Sequence, residues 1–180
     1  ILPERAVELG LPADTVVLCG GNDAVLGAFS GGSTEPGMIN NVCGTCDITS
    51  VFVDKPVSSP NFNIRCHVIP GRWVTFFVLN TGGKALEWFH SVFCADMSEK
   101  RFYEEYIPSV LSRFFGGADP DRREGQLPVY VPFLGGSRYS LEQRKAEFQN
   151  VTLETTREDM LLSLIRGNAA YHGEHLREVG

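Results

Sequence analysis

Asp23 stands in the run Cys19-Gly20-Gly21-Asn22-Asp23-Ala24, directly after the apolar segment Thr15 to Cys19. A carboxylate held in such a glycine turn can accept the proton of an attacking hydroxyl, once a substrate brings that hydroxyl within hydrogen-bond reach. An aspartate here equally suits the N-cap of a helix beginning at Ala24. Further on, Cys43-Gly44-Thr45-Cys46 interrupts two β-rich runs. The backbone N–H groups and hydroxyl of a Gly-Thr turn can hold phosphate oxygens without a Walker sequence. A third block, Thr81-Gly82-Gly83-Lys84-Ala85, ends a strand pattern where a helical one begins. Free N–H groups and the helix dipole favour anions there. It is not a Walker A loop, which needs glycine at the position of Val78 and Ser or Thr at that of Ala85.

Rival chemistries are weaker. Cys43 and Cys46 have the spacing of a redox pair, but that motif opens a helix, and Asp47-Ile48-Thr49-Ser50-Val51-Phe52-Val53 reads as a strand. Zinc would need a second ligand pair that the sequence does not offer beside these thiols. His172 and His175 lie three apart on one helical face, yet two ligands alone make a poor metal site, and a helix-surface pair is the simpler reading.

The elements that must position these residues follow from periodicity and punctuation. Pro3 to Gly10 reads as a helix closed by Gly10, and Thr15 to Cys19 as a short buried strand, with a short helix from Asp23 to Phe29. Gly31 to Gly37 is a turn cluster. Met38 to Cys43, Asp47 to Val53, Ile64 to Ile69 and Arg72 to Leu79 form β-rich runs that read as an antiparallel meander. Helices are expected over Lys84 to Phe93 and Glu99 to Phe115, the latter perturbed by Pro108, then a polar loop from Gly116 to Gly125. Leu127 to Val131 reads as a strand, and Thr156 to Val179 as a long helix with Thr155 or Thr156 as its N-cap.

Composition bounds the partners. The chain has 180 residues, 43% of them hydrophobic, which suffices for a core, and a net charge of -6 speaks against a nucleic-acid footprint. No apolar run reaches the roughly 20 residues of a membrane span, and the first residues lack signal-peptide order. A cytoplasmic protein is expected. Five cysteines, an odd number in apolar settings, suit reduced thiols.

Four blocks, taken in order and spacing, resemble the middle and C-terminal portion of the FGGY carbohydrate kinases. They are the Gly-Gly-Asn-Asp turn, Cys-Gly-Thr, Asn80-Thr81-Gly82-Gly83-Lys84 through Trp88, and Tyr130-Val131-Pro132-Phe133-Leu134-Gly135-Gly136-Ser137-Arg138. The resemblance implies an α/β fold: a partial ribonuclease-H-like (actin-like ATPase) domain with a β-meander followed by helices. It divides the chain into the tail of a sugar-binding domain with its hinge (1–30) and the first part of a nucleotide-binding domain (31–180). It implies ATP-dependent phosphorylation of a sugar or polyol hydroxyl, with this chain an incomplete and inactive piece. ATP and Mg2+ are the implied cofactors. Asp23 matches the catalytic base and would contact the substrate, and through water the metal; Gly44, Thr45, Gly83 and Glu87 match nucleotide-contacting positions, with Trp88 packed behind them. Arg138 matches a Gly-x-Arg loop, but Ser140 stands where that loop usually carries proline. A solvated surface arginine is the bland alternative. A non-catalytic nucleotide- or sugar-binding module is the second reading. An unpaired sheet edge and an exposed apolar helix face would favour self-association, a homodimer included.

Overall fold

The computed structural model describes residues 1–116, 125 and 127–179. Helix α1 (Pro3–Leu9) has proline in its first turn and ends on Gly10, whose φ of 65° satisfies the left-handed C-cap. Helix α2 (Asp23–Ser30) is capped by Asn22, whose side chain accepts from the Val25 N–H. Between them the expected Thr15–Cys19 strand does not form. Val16, Val17 and Leu18 are 69–83% exposed, and no strand among the described residues runs beside them. An apolar run without a ladder partner has no outlet for its main-chain groups except water, so it stays irregular.

Four antiparallel strands make the main sheet: β1 (Ile39–Cys43), β2 (Asp47–Val53), β3 (Asn63–Cys66) and β4 (Trp73–Leu79), in the order β1-β2-β4-β3. A sequential meander would seat β3 beside β2. Instead β4 inserts between them, because β4 is apolar along nearly its whole length and takes the central position, leaving the polar, exposed β3 at the edge. The register pairs Asp47 with both Cys43 and Leu79. Since side chains alternate, Ile48, Val74 and Phe76 face α2, where Ala24 and Val25 pack on them. The opposite face carries Val51 and Phe77 to the end of helix α6 (Arg157–Val179), through Leu176 and Val179.

A second core is helical. Helix α3 (Gly83–Phe93) buries Ala85 and Phe89 against Phe102, Val110 and the Leu161, Leu162 and Leu164 row of α6. The expected helix over Glu99 to Phe115 divides into α4 (Glu99–Arg101), a π-helical turn (Phe102–Tyr106) and α5 (Ile107–Phe115). Pro108 is the cause: it lacks an N–H and crowds the preceding turn, so the ladder widens there and Ile107 N–H reaches back to Phe102 O. Strand β5 (Val129–Val131) pairs with β6 (Glu147–Gln149), and the Tyr130 and Phe148 rings lie 4.8 Å apart across that pair. Three residues are too few for β6 to show a periodicity in the sequence. At Gly167, α6 presses its backbone against β5, where a Cβ would come within 2.4 Å of the Tyr130 carbonyl oxygen. Thr156 and Asp159 form a reciprocal cap at the start of α6: Thr156 N–H donates to Oδ2 at 2.8 Å and Asp159 N–H to Oγ1 at 3.2 Å. The expected Gly116 to Gly125 loop falls largely outside the described residues. Among the described residues no helix is long and apolar enough to cross a membrane.

Candidate functional site

Main-chain hydrogen bonds stitch the β1–β2 turn to the start of α3. Gly82 N–H donates to Thr45 O at 2.9 Å, Gly83 N–H to Gly44 O at 2.7 Å and Lys84 N–H to Thr45 O at 3.4 Å. So close an approach needs glycine. A Cβ on Gly83 would lie 2.8 Å from the Gly44 carbonyl oxygen, and one on Gly82 would lie 2.6 Å from Asp47 Cβ. Gly44, Thr45 and Gly83 therefore share one corner, as the sequence suggests. One expectation is corrected: the N–H groups at the start of α3 are not free. Those of Gly83 and Lys84 are taken by the turn, and that of Ala85 by Gly82 O at 3.0 Å. The Gly44 N–H is likewise taken, by Cys46 O at 2.8 Å, so what remains on offer to an anion in the exposed turn is Thr45 with its hydroxyl.

The Gly135–Arg138 loop docks on the same corner through Asn80, at the end of β4. The Asn80 amide donates to Gly135 O at 2.9 Å and Gly136 O at 3.2 Å, while its side-chain oxygen accepts from Arg138 Nε at 2.6 Å. Arg138 Nη2 reaches to 3.8 Å from Cys46 Sγ. Arg138 is exposed but oriented, and it delivers a positive charge beside the turn. With serine at 140, the loop is held by hydroxyls: Ser137 Oγ accepts from Tyr139 N–H and Ser140 Oγ from Glu142 N–H, each at 3.1 Å.

Asp23 is the first residue of α2, and its Oδ1 accepts from the Ala24 N–H at 2.8 Å. Asn22, not Asp23, is the N-cap, so the bland capping role for Asp23 is already filled. Ala24 and Val25 pack on Ile48, Val74 and Phe76 of the sheet, whereas Phe29 at the other end of the helix meets His67, 5.9 Å away, which in turn packs on Phe52. Asp23 is exposed. No hydrogen bond joins it to Gly44, Thr45 or Gly83 among the described residues. Glu87, one turn into α3, pairs with Lys84 Nζ at 2.5 Å on the exposed face. Trp88 lies behind it, edge-on to Phe93 at 5.6 Å.

Asp47 and His172 also meet beside this corner. Asp47 accepts from Asn41 Nδ2 at 2.7 Å, and its Oδ2 lies 3.2 Å from His172 Nε2 on α6, both side chains being nearly buried. Burial pushes the Asp47 carboxyl up, but the contacts from His172 and Asn41 and the His172 charge outweigh it and hold the group below its ordinary value. The sequence signal was slight: a lone aspartate after the Cys-Gly-Thr-Cys turn. His172 and His175 are both buried rather than a helix-surface pair, and they do not converge, since His175 Nδ1 faces Tyr171 O at 2.7 Å and its ring packs on Phe77. Among the described residues no three His, Cys, Asp or Glu side chains gather as a metal cage. Cys43 and Cys46 flank a hairpin turn rather than open a helix.

A cleft of about 690 Å³ lies elsewhere, between α6 and the β5 side, lined by Tyr130, Phe133, Arg144, Tyr171 and Glu174. Asp23, Gly44, Thr45 and Gly83 do not border it. Burial pushes the Tyr171 phenol up to about 12 and that of Tyr130 higher still, so neither is a base at neutral pH.

A sheet flanked by helices, with two glycine turns bonded at one end and a carboxylate at the head of a neighbouring helix, defines a chain of the actin-like ATPase fold. The chain belongs to the FGGY carbohydrate kinases. It is 35% identical over 146 residues to an autoinducer-2 kinase of Salmonella paratyphi A, covering 77% of this chain and 27% of that protein. It is 25% identical over 169 residues to a gluconokinase of Bacillus subtilis, covering 92% of this chain and 32% of the other. Its structure matches 34% of a xylulose kinase from Rhodospirillum rubrum, over 99% of this chain, with a TM-score of 0.83 at 20% identity. The chain therefore spans about a quarter to a third of the length of these relatives. No protein-family model matches it.

Proposed function

We propose that this chain supplies one wall of the active site of an ATP-dependent kinase acting on a sugar or polyol hydroxyl. Residues 1–30 belong to a sugar-binding domain and its hinge, and 31–180 to a nucleotide-binding domain. The observation that carries this is the corner itself: the Gly44–Thr45 turn bonded to Gly82 and Gly83, on a sheet against which the helix headed by Asp23 packs. In this reading Asp23 takes the proton of the attacking hydroxyl. Gly44 and Thr45 hold the phosphates, Gly83 sets the turn's position, and Glu87 lies toward the nucleoside.

The donor set suits magnesium bound through water. Asp23 offers a hard, exposed carboxylate with one oxygen engaged by a local N–H, and among the described residues no three His, Cys, Asp or Glu side chains gather as a dedicated cage. Bound magnesium would neutralise phosphate charge. The relatives bear the names of autoinducer-2, gluconate and xylulose kinases, which supports a small polyhydroxylated acceptor. A cytoplasmic setting fits these chemistries. The exposed β1 edge and the bare Val16 to Leu18 run support self-association, a homodimer included.

Titration of the isotope-labelled chain with Mg·ADP tests the nucleotide assignment. The amide resonances of Gly44, Thr45 and Gly83 should move first and furthest. Shifts confined to the cleft around Tyr130 and Tyr171 would refute it.

A further inference from the structure

We propose that Asp47 and His172 act together as positioning residues, fixing the joined corner of Gly44–Thr45 and Gly82–Gly83 from its buried side by tying it to α6. This rests on the reading of that corner as the phosphate site. Asp47 opens β2 and is paired in register with Cys43, the residue leading into the turn, and with Leu79, the end of β4. Its backbone N and Cβ are 2.9 and 2.6 Å from the point a Gly82 side chain would occupy. Any movement of Asp47 is a movement of both turns.

The Asp47 carboxylate is held from two sides. Asn41 donates to Asp47 Oδ1 at 2.7 Å and to Thr49 Oγ1 at 2.9 Å, which locks β1 to β2 beneath the turn. His172 closes the other side, its Nε2 lying 3.2 Å from Oδ2 as a close charge contact rather than an aligned hydrogen bond, and neither ring nitrogen has a hydrogen-bond partner among the described residues. The rest of α6 is anchored far from the corner. Leu161, Leu162 and Leu164 lie in the helical core, while Leu176 and Val179 pack on Val51, Phe62 and Phe77. His172 is the point at which this rigid helix meets the site end of the sheet. The other titratable groups close to the pair are Cys43 on β1 and Tyr171 and His175 on α6, none of them a permanent charge. A buried carboxylate is costly unless paired, so Asp47 and His172 constrain each other's place strongly.

Amide hydrogen exchange on the 180-residue chain reads the positioning directly. In His172→Ala, the Gly82 and Gly83 amides should exchange about tenfold faster or more, while Phe89 and Val110 in the helical core keep their rates. His172→Gln, which retains a donor at that reach, should restore most of the protection, and the ring 15N signature of His172 should change in Asp47→Asn. Unchanged Gly82 and Gly83 rates in His172→Ala overturn the inference, and so does a uniform acceleration at every amide. In the longer kinase, His172→Ala should raise the ATP KM about tenfold with kcat nearly unaltered. Equal ATP affinity in variant and wild type would overturn the link to nucleotide. A wild-type enzyme that binds no ATP would instead sink the proposed function, and the exchange rates would still decide whether Asp47 and His172 position the corner.

Discussion

Gly82→Ala probes the corner most sharply, because the structure fixes where the new methyl must go. It would lie 2.6 Å from Asp47 Cβ, 2.9 Å from Asp47 N and 3.0 Å from Cys46 C, all parts of a paired strand rather than flexible side-chain ends. Ordinary contacts of this kind are about 3.4 to 4 Å, so one of the two turns must move. Overpacking against rigid atoms costs about 1–3 kcal/mol, and loss of the Gly82 N–H to Thr45 O bond adds about 1 kcal/mol. A total near 3 kcal/mol corresponds to a fall in Tm of roughly 6–12 °C for a chain of this size. Gly44→Ala is the internal control. Its methyl would meet only Cys46 O, at 3.8 Å, an ordinary contact, and the change should stay within about 0.5 kcal/mol. Thermal and urea unfolding of both variants decide the matter. Equal stability for the two, or a Gly82→Ala chain as stable as wild type, would refute the joined-turn geometry.

Gly167→Ala should destabilise the chain by about 1–2 kcal/mol despite alanine's better helix propensity, since its Cβ would come 2.4 Å from Tyr130 O; urea unfolding reads this. Asp47→Asn should lower stability at neutral pH. Because the folded carboxyl lies below its ordinary value of 3.8, the wild-type advantage is fully present above about pH 4 and lost as pH falls through the depressed folded value; unfolding followed from pH 7 to 2 should show the two chains converging only in acid. Cys46→Ser should leave the fold and any nucleotide response intact, because Cys43 and Cys46 flank a hairpin; a loss of function that only a dithiol couple restores would revive the redox reading.

Much of the site was legible in the sequence, and the reasons differ by element. Strand β2 shows its β-branched run, and α3 shows its apolar face, so the turns before them could be located to the residue. The corner itself is an alignment of main-chain groups from segments some forty residues apart, which no local pattern announces. Asp47 was silent, and His172 reads as a surface histidine, for the same reason: their meeting depends on the crossing of α6 over the start of β2. Strand order was also hidden, since hairpin punctuation gives neighbours in sequence and only relative apolarity puts β4 in the centre. Thr15 to Cys19 shows the opposite failure. Its composition is that of a buried strand, but composition does not provide the neighbouring strand that a ladder needs.

In the proposed function Asp23 removes a proton from a sugar or polyol hydroxyl. The turnover number of the longer kinase with Asp23→Asn tests that role most directly, because the change keeps the side chain's shape and its bond to the Ala24 N–H while removing the base. Turnover should fall by about two to four orders of magnitude with the ATP KM nearly unchanged. Wild-type turnover in that variant would contradict the account.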